Sequence, residues 1–584
     1  MVRHEAGQLD EAEGCFRRLL ALQPRDAEAL FHLGALLQKR LRLDEAAETF
    51  RRALEVAPQD YHLWMRLGAV LVAKFTDKSL AEAEAGFRRA AGLWPGEAEA
   101  HAALAHVCTL QERHAEALAS LAQAQRLDPG AVNLQADLLH EMQRQCDWSR
   151  LAELSGLVLR GALERADRPA PPFCLLSIAS TPQQQLACAR RYAQSVAGPL
   201  EGERRRLAFQ SRPAAKKKLR IGYLSPEFHA HATAYLAAEI FELHDRARFE
   251  VLAYSYGPED GSPIRARLKR AIPLFKDITL LPDAEAAAAI HADSVDILVD
   301  LKGYTFRART AILALRPAPL QVNYLGYPGT MGADFVDYLV GDRIVTPVDR
   351  AGDFAEKLAV LPDCYQPNDR RRHAARTPPR AELGLPDVGF VFCCFNQSFK
   401  ILPDTFAVWM RLLAAVPWSV LWLLASPATE NLRREAAARG VDPARLVFAG
   451  QRPLAEHIGR VPAADLFLDT FPYNAHTTAS DALWTGLPLV TCRGDTFASR
   501  VAASLLTAMG FPELVTGSLA EYEALALRLS QAPAELLGLR ERLQRNRARA
   551  PLFDTPRYVR NLEAAYEAMW AAHSAGQPPR QIEL

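Results

Sequence analysis

The sequence lacks the features that mark several classes of protein. Its formal net charge is only +1 over 584 residues, so no overall field favours nucleic acid or a membrane surface as partner. Nine cysteines are scattered without a CxxC pair, which argues against a zinc module or a disulfide scaffold and predicts a reducing, cytoplasmic location. No uninterrupted run of about 18 apolar residues occurs, so no membrane-spanning helix is expected. The first residues have no apolar core, so no signal peptide is expected.

Two common nucleotide-binding motifs are also absent. No GxGxxG follows an expected strand, which weakens the case for a dinucleotide-dependent dehydrogenase. No GxxxxGK[ST] occurs, which excludes a P-loop. What is present is an ordinary globular composition, 49% hydrophobic and 23% charged, in a chain long enough for three or four domains.

Internal repetition dominates the first part of the chain. Four prolines lie 34, 37 and 34 residues apart, at Pro24, Pro58, Pro95 and Pro129. Small and aromatic residues recur in register between them, as in Gly34 with Phe50 and Gly68 with Phe87. A small residue lets two helices approach closely, an aromatic ring fills the space beside it, and proline ends the second helix. The period predicts three tetratricopeptide-type helical pairs, with a lone second helix before them and a lone first helix over 132–145.

Beyond residue 145 the pattern changes twice. From 146 to 212 it stays helical but loses its period, which predicts a helical linker. From Leu219 onward short apolar runs alternate with helical stretches, which predicts parallel sheets joined by right-handed crossovers. A polar, proline-rich stretch over 367–387 divides these runs into two halves. We therefore expect an α-helical repeat solenoid followed by an α/β body of two Rossmann-like lobes, with a ligand at the carboxyl ends of the strands.

These changes set the expected domain limits. They are 1–145 for the repeats, 146–212 for the linker, 213–375 for the first lobe and 376–584 for the second lobe with a terminal helix. The basic run from Lys216 to Lys218 precedes the first strand of the first lobe. We interpret it as a solvated segment rather than a phosphate site.

Polar clusters follow several of the expected strands. The first, SPEFHAHATAYL over 225–236, places Glu227, His229 and His231 where general acid or base groups can act. Their spacing also resembles a metal site, but no third or fourth ligand is evident, so no metal is expected. The second cluster, LGYPGTMG over 325–332, contains glycines that either admit a ligand closely or form a structural turn.

Two further clusters suit a phosphorylated ligand. In FNQSFKILP over 395–403, Gln397 can recognise a polar group and Lys400 can neutralise charge that develops on a diphosphate, although an exposed lysine is the alternative. In DTFPYNAHTTASDALWTGLP over 469–488, a helix is expected to begin near Thr477, and its free N–H groups favour an anion. Asp481, in the first turn of that helix, suits a ribose hydroxyl. Ordinary capping by Thr477 is the alternative.

Five segments, taken together and in order, resemble the O-linked N-acetylglucosamine transferases, as a bacterial relative of that family. They are LRPAPLQVNYLGYPGTMGADFVDYLV, CCFNQSFKI, VLWLL, AHTTASDALWTGLPLVT and GDTFASRVAASLL. The resemblance covers the repeats, the linker and both lobes. It implies a GT-B glycosyltransferase that inverts the sugar carbon, uses UDP-N-acetylglucosamine (UDP-GlcNAc) as donor, modifies serine or threonine hydroxyls of proteins, and needs no metal or other cofactor.

The same resemblance implies roles for individual residues. His231 matches the family's active-site histidine, Glu227 lies where the family has an aspartate, and Lys400 matches the residue that stabilises the leaving diphosphate. Positions that match the remaining sugar, acceptor and nucleotide contacts are Thr233, Leu325, Pro328, Gln397, His457, Arg460, His476, Thr477, Thr478 and Asp481. The proton of the attacking hydroxyl leaves through His231, Glu227, water or the donor phosphate, and the sequence does not choose among them.

The chain departs from the animal members of the family at several positions. Leu454 stands where they have a lysine that contacts the nucleotide, and the linker histidine proposed as catalytic has no match in PAPPFCLL over 169–176. Their asparagine ladder in the repeats is replaced here by His32, Arg66, Ala103 and Asp137. These replacements leave open how the repeats hold an acceptor peptide.

Two alternatives to this function are carried forward. Protein O-fucosyltransferases of the same family use GDP-fucose, whereas a branch that glucosylates asparagine lacks such a repeat array. A non-catalytic scaffold, in which the repeats bind partners, is the second alternative. The presence of Lys400, His476, Thr477, Thr478 and Asp481 argues against that scaffold.

Overall fold

The computed structural model describes residues 2–164, 169–209 and 217–584. Lys216 of the basic run and the expected domain limit at 212/213 lie outside the described residues. In the described ranges, none of the helices combines the length and the apolar character that a bilayer crossing requires.

Eight helices build the repeat array. They are α1 (Val2–Leu22), α2 (Ala27–Lys39), α3 (Leu43–Val56), α4 (Tyr61–Lys74), α5 (Asp77–Leu93), α6 (Ala98–Leu110), α7 (His114–Leu127) and α8 (Val132–Arg144). Helices α2 to α7 form the three predicted pairs, preceded by α1 and followed by α8. The repeat prediction is therefore confirmed.

The small residues of the repeats act as predicted. A Cβ atom added to Gly34 would lie 2.7 Å from Cε1 of Phe50, and one added to Gly68 would lie 2.4 Å from Cε1 of Phe87. Both phenylalanine rings are buried. In these two pairs the first helix thus approaches the second so closely that only glycine fits beside the ring.

Three helices follow the array in the linker, namely α9 (Leu151–Glu164), α10 (Pro182–Ala197) and α11 (Glu201–Leu207). Helix α9 packs against α8, and a Cβ atom on Gly161 would lie only 2.3 Å from Cγ2 of Val132. Leu154 and Val158 of α9 are fully buried in the same cluster. Helix α8, expected to stand alone, therefore has a partner, because the packing residues persist after the repeat period is lost.

The first lobe begins with alternating strands and helices. They are β1 (Leu219–Ser225), α12 (Ala232–Leu243), β2 (Phe249–Ser255), α13 (Pro263–Ala271), β3 (Leu274–Asp277), α14 (Asp283–Ala292), β4 (Ile297–Asp300), α15 (Thr310–Ala314), β5 (Leu320–Asn323), β6 (Tyr338–Asp342) and β7 (Lys357–Leu361). The apolar runs LRIGYLS and DILVDL became buried strands, as predicted.

In the second half of the α/β body, strands again alternate with helices. Its elements are β8 (Phe390–Cys394), α16 (Pro403–Ala415), β9 (Ser419–Leu424), α17 (Thr429–Ala438), β10 (Leu446–Ala449), α18 (Leu454–Arg460), β11 (Leu466–Leu468), α19 (Thr477–Thr485), β12 (Leu489–Cys492), α20 (Val501–Ala508), β13 (Val515–Thr516), α21 (Leu519–Gln531), α22 (Pro533–Asn546), α23 (Thr555–Ser574) and β14 (Ile582–Glu583).

Two parallel sheets form the cores of the lobes. The first has the strand order β14-β7-β6-β5-β4-β1-β2-β3 and the second has the order β10-β9-β8-β11-β12-β13. In the first sheet Tyr223 of β1 pairs with Ala253 of β2 and Val299 of β4. Two Rossmann-like lobes were predicted, and this architecture confirms them.

The end of the chain returns to the first lobe. The expected limits group the terminal helix with the second lobe, but α23 packs its buried face, including Tyr558, Leu562 and Tyr566, into the core of the first sheet. Strand β14 then extends that sheet by pairing with β7. An amphipathic helix shows which of its faces is buried but not which sheet covers it, so sequence reasoning placed α23 by its position in the chain.

Candidate active site

Each sheet has one switch point, which lies between two neighbouring strands from which the chain continues toward opposite edges of the sheet. In the first sheet this point lies between β1 and β4, and in the second it lies between β8 and β11. Ligands of open parallel sheets bind at such points, beyond the carboxyl ends of the strands. The loops that leave β1, β8 and β11 carry most of the residues that the sequence predicted for the site.

Glu227 is the centre of the cluster that follows β1. Its side chain is buried, and its Oε2 atom accepts a hydrogen bond of 2.6 Å from Oγ1 of Thr233. The same oxygen lies 3.3 Å from Nδ1 of His231. Its Oε1 atom forms an ion pair with Nζ of Lys302. The structure therefore brings together three predicted residues and engages both oxygens of the carboxylate.

Lys302 is a member of this cluster that sequence reasoning missed. It stands two residues after β4, and its N–H donates to Oδ1 of Asp300 at 3.1 Å. The side chains of Lys302 and Glu227 are only 9% and 8% exposed. The sequence shows a lysine just after an apolar run that predicts a buried strand. Only the strand order shows that β4 lies beside β1, which brings this lysine to Glu227.

The charges in the cluster oppose the effect of burial. Burial alone would raise the pKa of Glu227, but His231 and Lys302, with hydrogen bonds from Lys302 and Thr233, lower that pKa overall. Burial lowers the pKa of His231, and the Glu227 charge offsets only part of this effect. At neutral pH the site thus holds a carboxylate beside a neutral imidazole.

His231 also begins the helix that follows. Its Nδ1 atom accepts a hydrogen bond of 3.2 Å from the N–H of Thr233, so the imidazole caps α12. Its side chain remains 41% exposed and can meet a ligand. His229, by contrast, lies beside Asp260, with Nδ1 3.8 Å from a carboxylate oxygen.

The segment after β5 carries Leu325 and Pro328. Leu325 has a left-handed backbone, with φ of 71°, and Pro328 is buried. A Cβ atom on Gly326 would lie 2.0 Å from the carbonyl oxygen of Leu301, and one on Gly332 would lie 2.4 Å from the amide nitrogen of Arg190. These glycines admit neighbouring protein backbone, so a structural turn explains both of them.

Lys400 occupies a partly buried position beyond β8. Its Nζ atom donates to the carbonyl oxygen of Asn474 at 2.9 Å and lies 3.7 Å from the ring centroid of Tyr473. Burial lowers the pKa of Lys400 to about 8, although the charge of Asp469 opposes the shift. Gln397 is exposed at the start of the same turn. The predicted alternative, an exposed lysine, is wrong.

Asn396 and Asp469, which sequence reasoning missed, hold the loops of the second lobe together. Nδ2 of Asn396 donates to Oδ1 of Asp469 at 3.2 Å and to Oγ1 of Thr470 at 2.8 Å, and Oδ1 of Asn396 accepts from Oγ1 of Thr478. Asp469 also accepts from the N–H of Ala475 at 2.7 Å. The loop after β8 is thereby joined to the loop after β11 and to α19.

The first turn of α19 is open to an anion. Its N-cap is His476, and no side-chain hydrogen bond from the described residues caps the helix. Capping by Thr477 was the expected alternative and is wrong, because Thr477 is the first helical residue and His476 is the N-cap. The hydroxyl of Thr478, the second helical residue, donates to Asn396. The first N–H groups of a helix have no partner within it, and they favour negative charge.

The side chain of His476, the N-cap of α19, has a buried ring nitrogen. Its Nε2 atom has no hydrogen-bond partner among the residues that the structure describes. Burial and the nearby Lys400 charge keep the pKa of His476 well below its usual value. The neutral ring lies 5.3 Å from the ring of Tyr473, measured between centroids.

Asp481 has a partner that the sequence did not predict. Its Oδ1 atom accepts a hydrogen bond of 2.8 Å from Nη1 of Arg372, which belongs to the stretch between the lobes. Burial raises the pKa of Asp481 to about 6, while the Arg372 charge opposes that rise.

His457 and Arg460 form a pair on α18, beside α19. Nη2 of Arg460 lies 2.9 Å from Nδ1 of His457, and Nη1 donates to the carbonyl oxygen of Gly450 at 2.7 Å. Burial, followed by the Arg460 charge, lowers the pKa of His457 to about 4. A guanidinium only donates, so Nδ1 accepts and the neutral ring carries its proton on Nε2, which is then a hydrogen-bond donor.

The repeat array and the linker reach the Lys400 loop. Oγ of Ser398 donates to the carbonyl oxygen of Arg144 at 2.6 Å, and the rings of His140 and Phe399 lie 5.1 Å apart. Phe173 of the linker lies 6.2 Å from Tyr473. The last repeat helix is therefore fixed against the loop that carries Lys400.

No hydrogen bond links the described side chains of the Glu227 cluster with those of the Lys400 cluster, which lie on separate lobes.

A family model described as glycosyl transferase family 41 matches residues 201–377 and 372–562. The chain belongs to this family. A tetratricopeptide repeat model matches residues 4–60, 36–98 and 76–132 in the array. The family 41 match covers most of both lobes, and the repeat match covers the helices from α1 to α7.

Named relatives match a large part of the chain. A probable UDP-N-acetylglucosamine–peptide N-acetylglucosaminyltransferase SEC of Arabidopsis thaliana is 36% identical over 468 residues, which are 76% of this chain and 48% of that protein. The UDP-N-acetylglucosamine–peptide N-acetylglucosaminyltransferase of Caenorhabditis elegans is 32% identical over 477 residues, 62% of this chain and 41% of that protein. The chain spans about half or less of the length of these curated relatives.

One solved structure matches nearly the whole chain. It is a mutant of the Thermobaculum terrenum O-GlcNAc transferase, 28% identical, with a TM-score of 0.69 over 94% of this chain and 98% of that one. Membership in family 41, the repeats and the two-lobed GT-B architecture are thereby shown.

Proposed function

We propose that this family 41 chain is an inverting glycosyltransferase that moves N-acetylglucosamine from UDP-GlcNAc to serine and threonine hydroxyls of proteins. The observation that supports it most strongly is the position of Lys400, whose loop is joined through Asn396 to the uncapped first turn of α19. A lysine ammonium and free N–H groups at one switch point suit a diphosphate leaving group. The names of the relatives support the choice of donor and of peptide acceptors.

On the donor side, Lys400 and the N–H groups of Thr477 and Thr478 stabilise charge that grows on the departing UDP. Charged hydrogen bonds are stronger in a site shielded from water than in water, and Lys400 is partly buried. His457 offers its Nε2–H to the nucleotide side, next to Arg460, and Gln397 is free to contact the diphosphate. No metal is required in this scheme, as the family resemblance implies.

On the acceptor side, His231 is the exposed member of the cluster. Both oxygens of Glu227 already bind side chains, and its pKa is lowered, so it is a poor base. We therefore assign Glu227, together with Thr233, the task of orienting His231. Because Nδ1 of His231 accepts from the N–H of Thr233, the neutral ring carries its proton on Nε2, which is then a hydrogen-bond donor. The hydroxyl proton leaves through a water molecule or the donor phosphate, while Leu325 and Pro328 border the sugar and the acceptor.

The direct test is intact-mass analysis of candidate acceptor proteins after incubation with the full chain and several sugar nucleotides. We expect the acceptor to gain one N-acetylhexosamine with UDP-GlcNAc, with or without EDTA. The matched control is Lys400→Met, which removes the ammonium, keeps the length of the side chain and is expected to abolish the gain. Transfer of equal rate by Lys400→Met would contradict the mechanism.

The two alternative functions give different results. Protein O-fucosyl transfer predicts that GDP protects the chain from thermal unfolding more than UDP does, because at equal concentration the tighter ligand raises stability more. A scaffold predicts that neither nucleotide protects it. Donor hydrolysis that persists unchanged in Lys400→Ala would contradict the role proposed for Lys400.

Three further proposals follow from the sequence. We retain the limits 1–145, 146–212 and 213–375, with 376–584 as the second lobe, except that the packing of α23 favours assigning 555–584 to the first lobe. Acceptor proteins are proposed to approach along the repeats, without nucleic acid or membrane as partner. A cytoplasmic location is supported by nine cysteines that are all free thiols.

A further inference from the structure

Three consecutive arginines between the lobes each bind a carboxylate. Arg370 binds Glu239 at 2.6 Å and Arg371 binds Glu242 at 3.0 Å, and both carboxylates lie on α12. Arg372 turns the other way and binds Asp481 of α19 at 2.8 Å. This stretch therefore joins the helix that begins at His231 to the helix that begins at the anion-binding turn.

The third pair differs from the first two in burial. The side chains of Arg372 and Asp481 are 6% and 7% exposed, whereas Arg370 and Arg371 are 44% and 66% exposed. Exposed ion pairs contribute little to stability because water screens them. A buried pair is costly to break, since the remaining charge has no partner.

Other contacts fix the Arg372 guanidinium in place. Nη2 donates to Oδ1 of Asn368 at 2.6 Å, and the guanidinium carbon lies 5.4 Å from the ring centroid of Trp484. Asn368 is held in turn, because its carbonyl oxygen accepts from Oγ1 of Thr555 at 2.5 Å. The position of Arg372 is thus determined by the first turn of α23 and by α19 together.

We infer that Arg372 is a positioning residue of the donor site, which keeps the Asp481 carboxylate ionised and oriented toward the ribose of the nucleotide. This inference rests on the proposed function and on the expectation from the sequence that Asp481 binds a ribose hydroxyl. An ionised carboxylate accepts hydrogen bonds from two hydroxyls, whereas a protonated one loses part of that capacity. Without Arg372, burial favours the protonated acid. Arg370 and Arg371 carry the same segment to α12, so the donor site is connected to the helix of His231.

The test compares UDP with 2′-deoxyuridine diphosphate, which lacks one ribose hydroxyl, by calorimetric titration of the full chain. The parent protein is expected to prefer UDP by about tenfold or more, as a hydrogen bond to a charged group allows. Arg372→Gln is expected to lose about tenfold or more in UDP affinity and to bind both nucleotides nearly equally. Arg372→Lys should recover part of the preference, and the exposed control Arg371→Gln should stay within about twofold of the parent.

A purely structural role would lower both affinities and leave their ratio unchanged, so an unchanged ratio in Arg372→Gln overturns the inference. If Arg372→Gln does not fold, the ratio of Asp481→Asn is compared with that of the double variant Asp481→Asn, Arg372→Gln. Equal ratios support action through Asp481, and a further loss in the double variant contradicts it.

Failure of the proposed function gives a different pattern. A parent chain that binds neither UDP nor GDP contradicts both the function and the inference. A parent chain that prefers GDP contradicts only the choice of donor. The comparison is then repeated with GDP and 2′-deoxyguanosine diphosphate, because both donors carry the same ribose.

Discussion

The ammonium of Lys302 forms an ion pair with the carboxylate of Glu227 behind the exposed imidazole of His231. The two residues are 75 positions apart and meet because β4 lies beside β1 in the first sheet. Burying such a pair costs desolvation, so the intact pair contributes little net stability. Removing only one partner is strongly destabilising, because the other charge stays buried without a partner. We interpret the pair as a device that fixes the carboxylate on which His231 depends.

The first prediction concerns this pair. Lys302→Met leaves Glu227 buried without its cation and is expected to lower the free energy of unfolding by about 3 kcal/mol, measured by urea denaturation. Adding Glu227→Gln removes the unpaired charge and should restore most of that loss. Both variants should transfer sugar at least about tenfold more slowly than the parent, because the carboxylate that orients His231 is no longer fixed in the single variant and is absent from the double variant. A Lys302→Met variant of parental stability and rate would contradict this role.

Much of the fold follows from local patterns. The spacing of the prolines and the pairing of Gly34 with Phe50 describe contacts within one helical pair, and these contacts are present. The run LRIGYLS is buried along most of its length, as its composition indicates. Period and composition suffice in these cases because the interacting residues lie within one or two elements of each other.

The rest depends on which elements meet. Arg372 and Asp481 are 109 positions apart, and neither residue type nor spacing relates them. The same holds for α23, whose apolar face fits either sheet. The resemblance to the family placed Lys400 and Asp481 in one site, but the partners that hold them, Asn396 and Arg372, were not predicted because they act through tertiary contacts.

The second prediction separates two roles of His231. Its imidazole caps α12, so His231→Ala should destabilise the chain by about 1 kcal/mol, whereas His231→Asn keeps a capping oxygen and should not. If the imidazole also acts in the reaction, both variants should lose about a hundredfold in kcat. Burial lowers the pKa of His231 below the ordinary histidine value of 6.5. The parent should therefore stay active as the pH falls to 6.5 and lose activity only at lower pH. Parental kcat in His231→Asn would show that capping is its main role.

The third prediction concerns the repeats. Gly68→Ala places a methyl group 2.4 Å from the ring of Phe87, and we expect the helical pair of α4 and α5 to lose about 1–3 kcal/mol. Gly92→Ala is the matched control, because in the part of the chain that the structure describes nothing lies within 4 Å of its added Cβ. It should be neutral or stabilise α5 by about 0.5–1 kcal/mol. Hydrogen exchange of α4 and α5 measures both changes without assuming that the whole chain unfolds in one step. Equal protection in the two variants would contradict the packing.

The last prediction uses the pH dependence of Lys400. Burial lowers its pKa from 10.5 to about 8, and the proposed reaction needs the ammonium, so kcat/KM for the donor should fall as the pH rises through about 8. A bound diphosphate stabilises the ammonium, so the corresponding fall in kcat should lie at higher pH. Stability should change in the opposite direction. Between the folded and unfolded pKa values the unfolded chain binds more protons at this lysine, so its contribution to stability rises with pH.

Comparison with Lys400→Met isolates both effects, since every other titrating group is shared. Relative to that variant, the parent should gain stability across the interval in which it loses kcat/KM. A basic limb in the pH profile that coincides with loss of the folded state would assign the limb to unfolding instead. A limb that persists in Lys400→Arg, whose guanidinium stays charged, would assign it to another group.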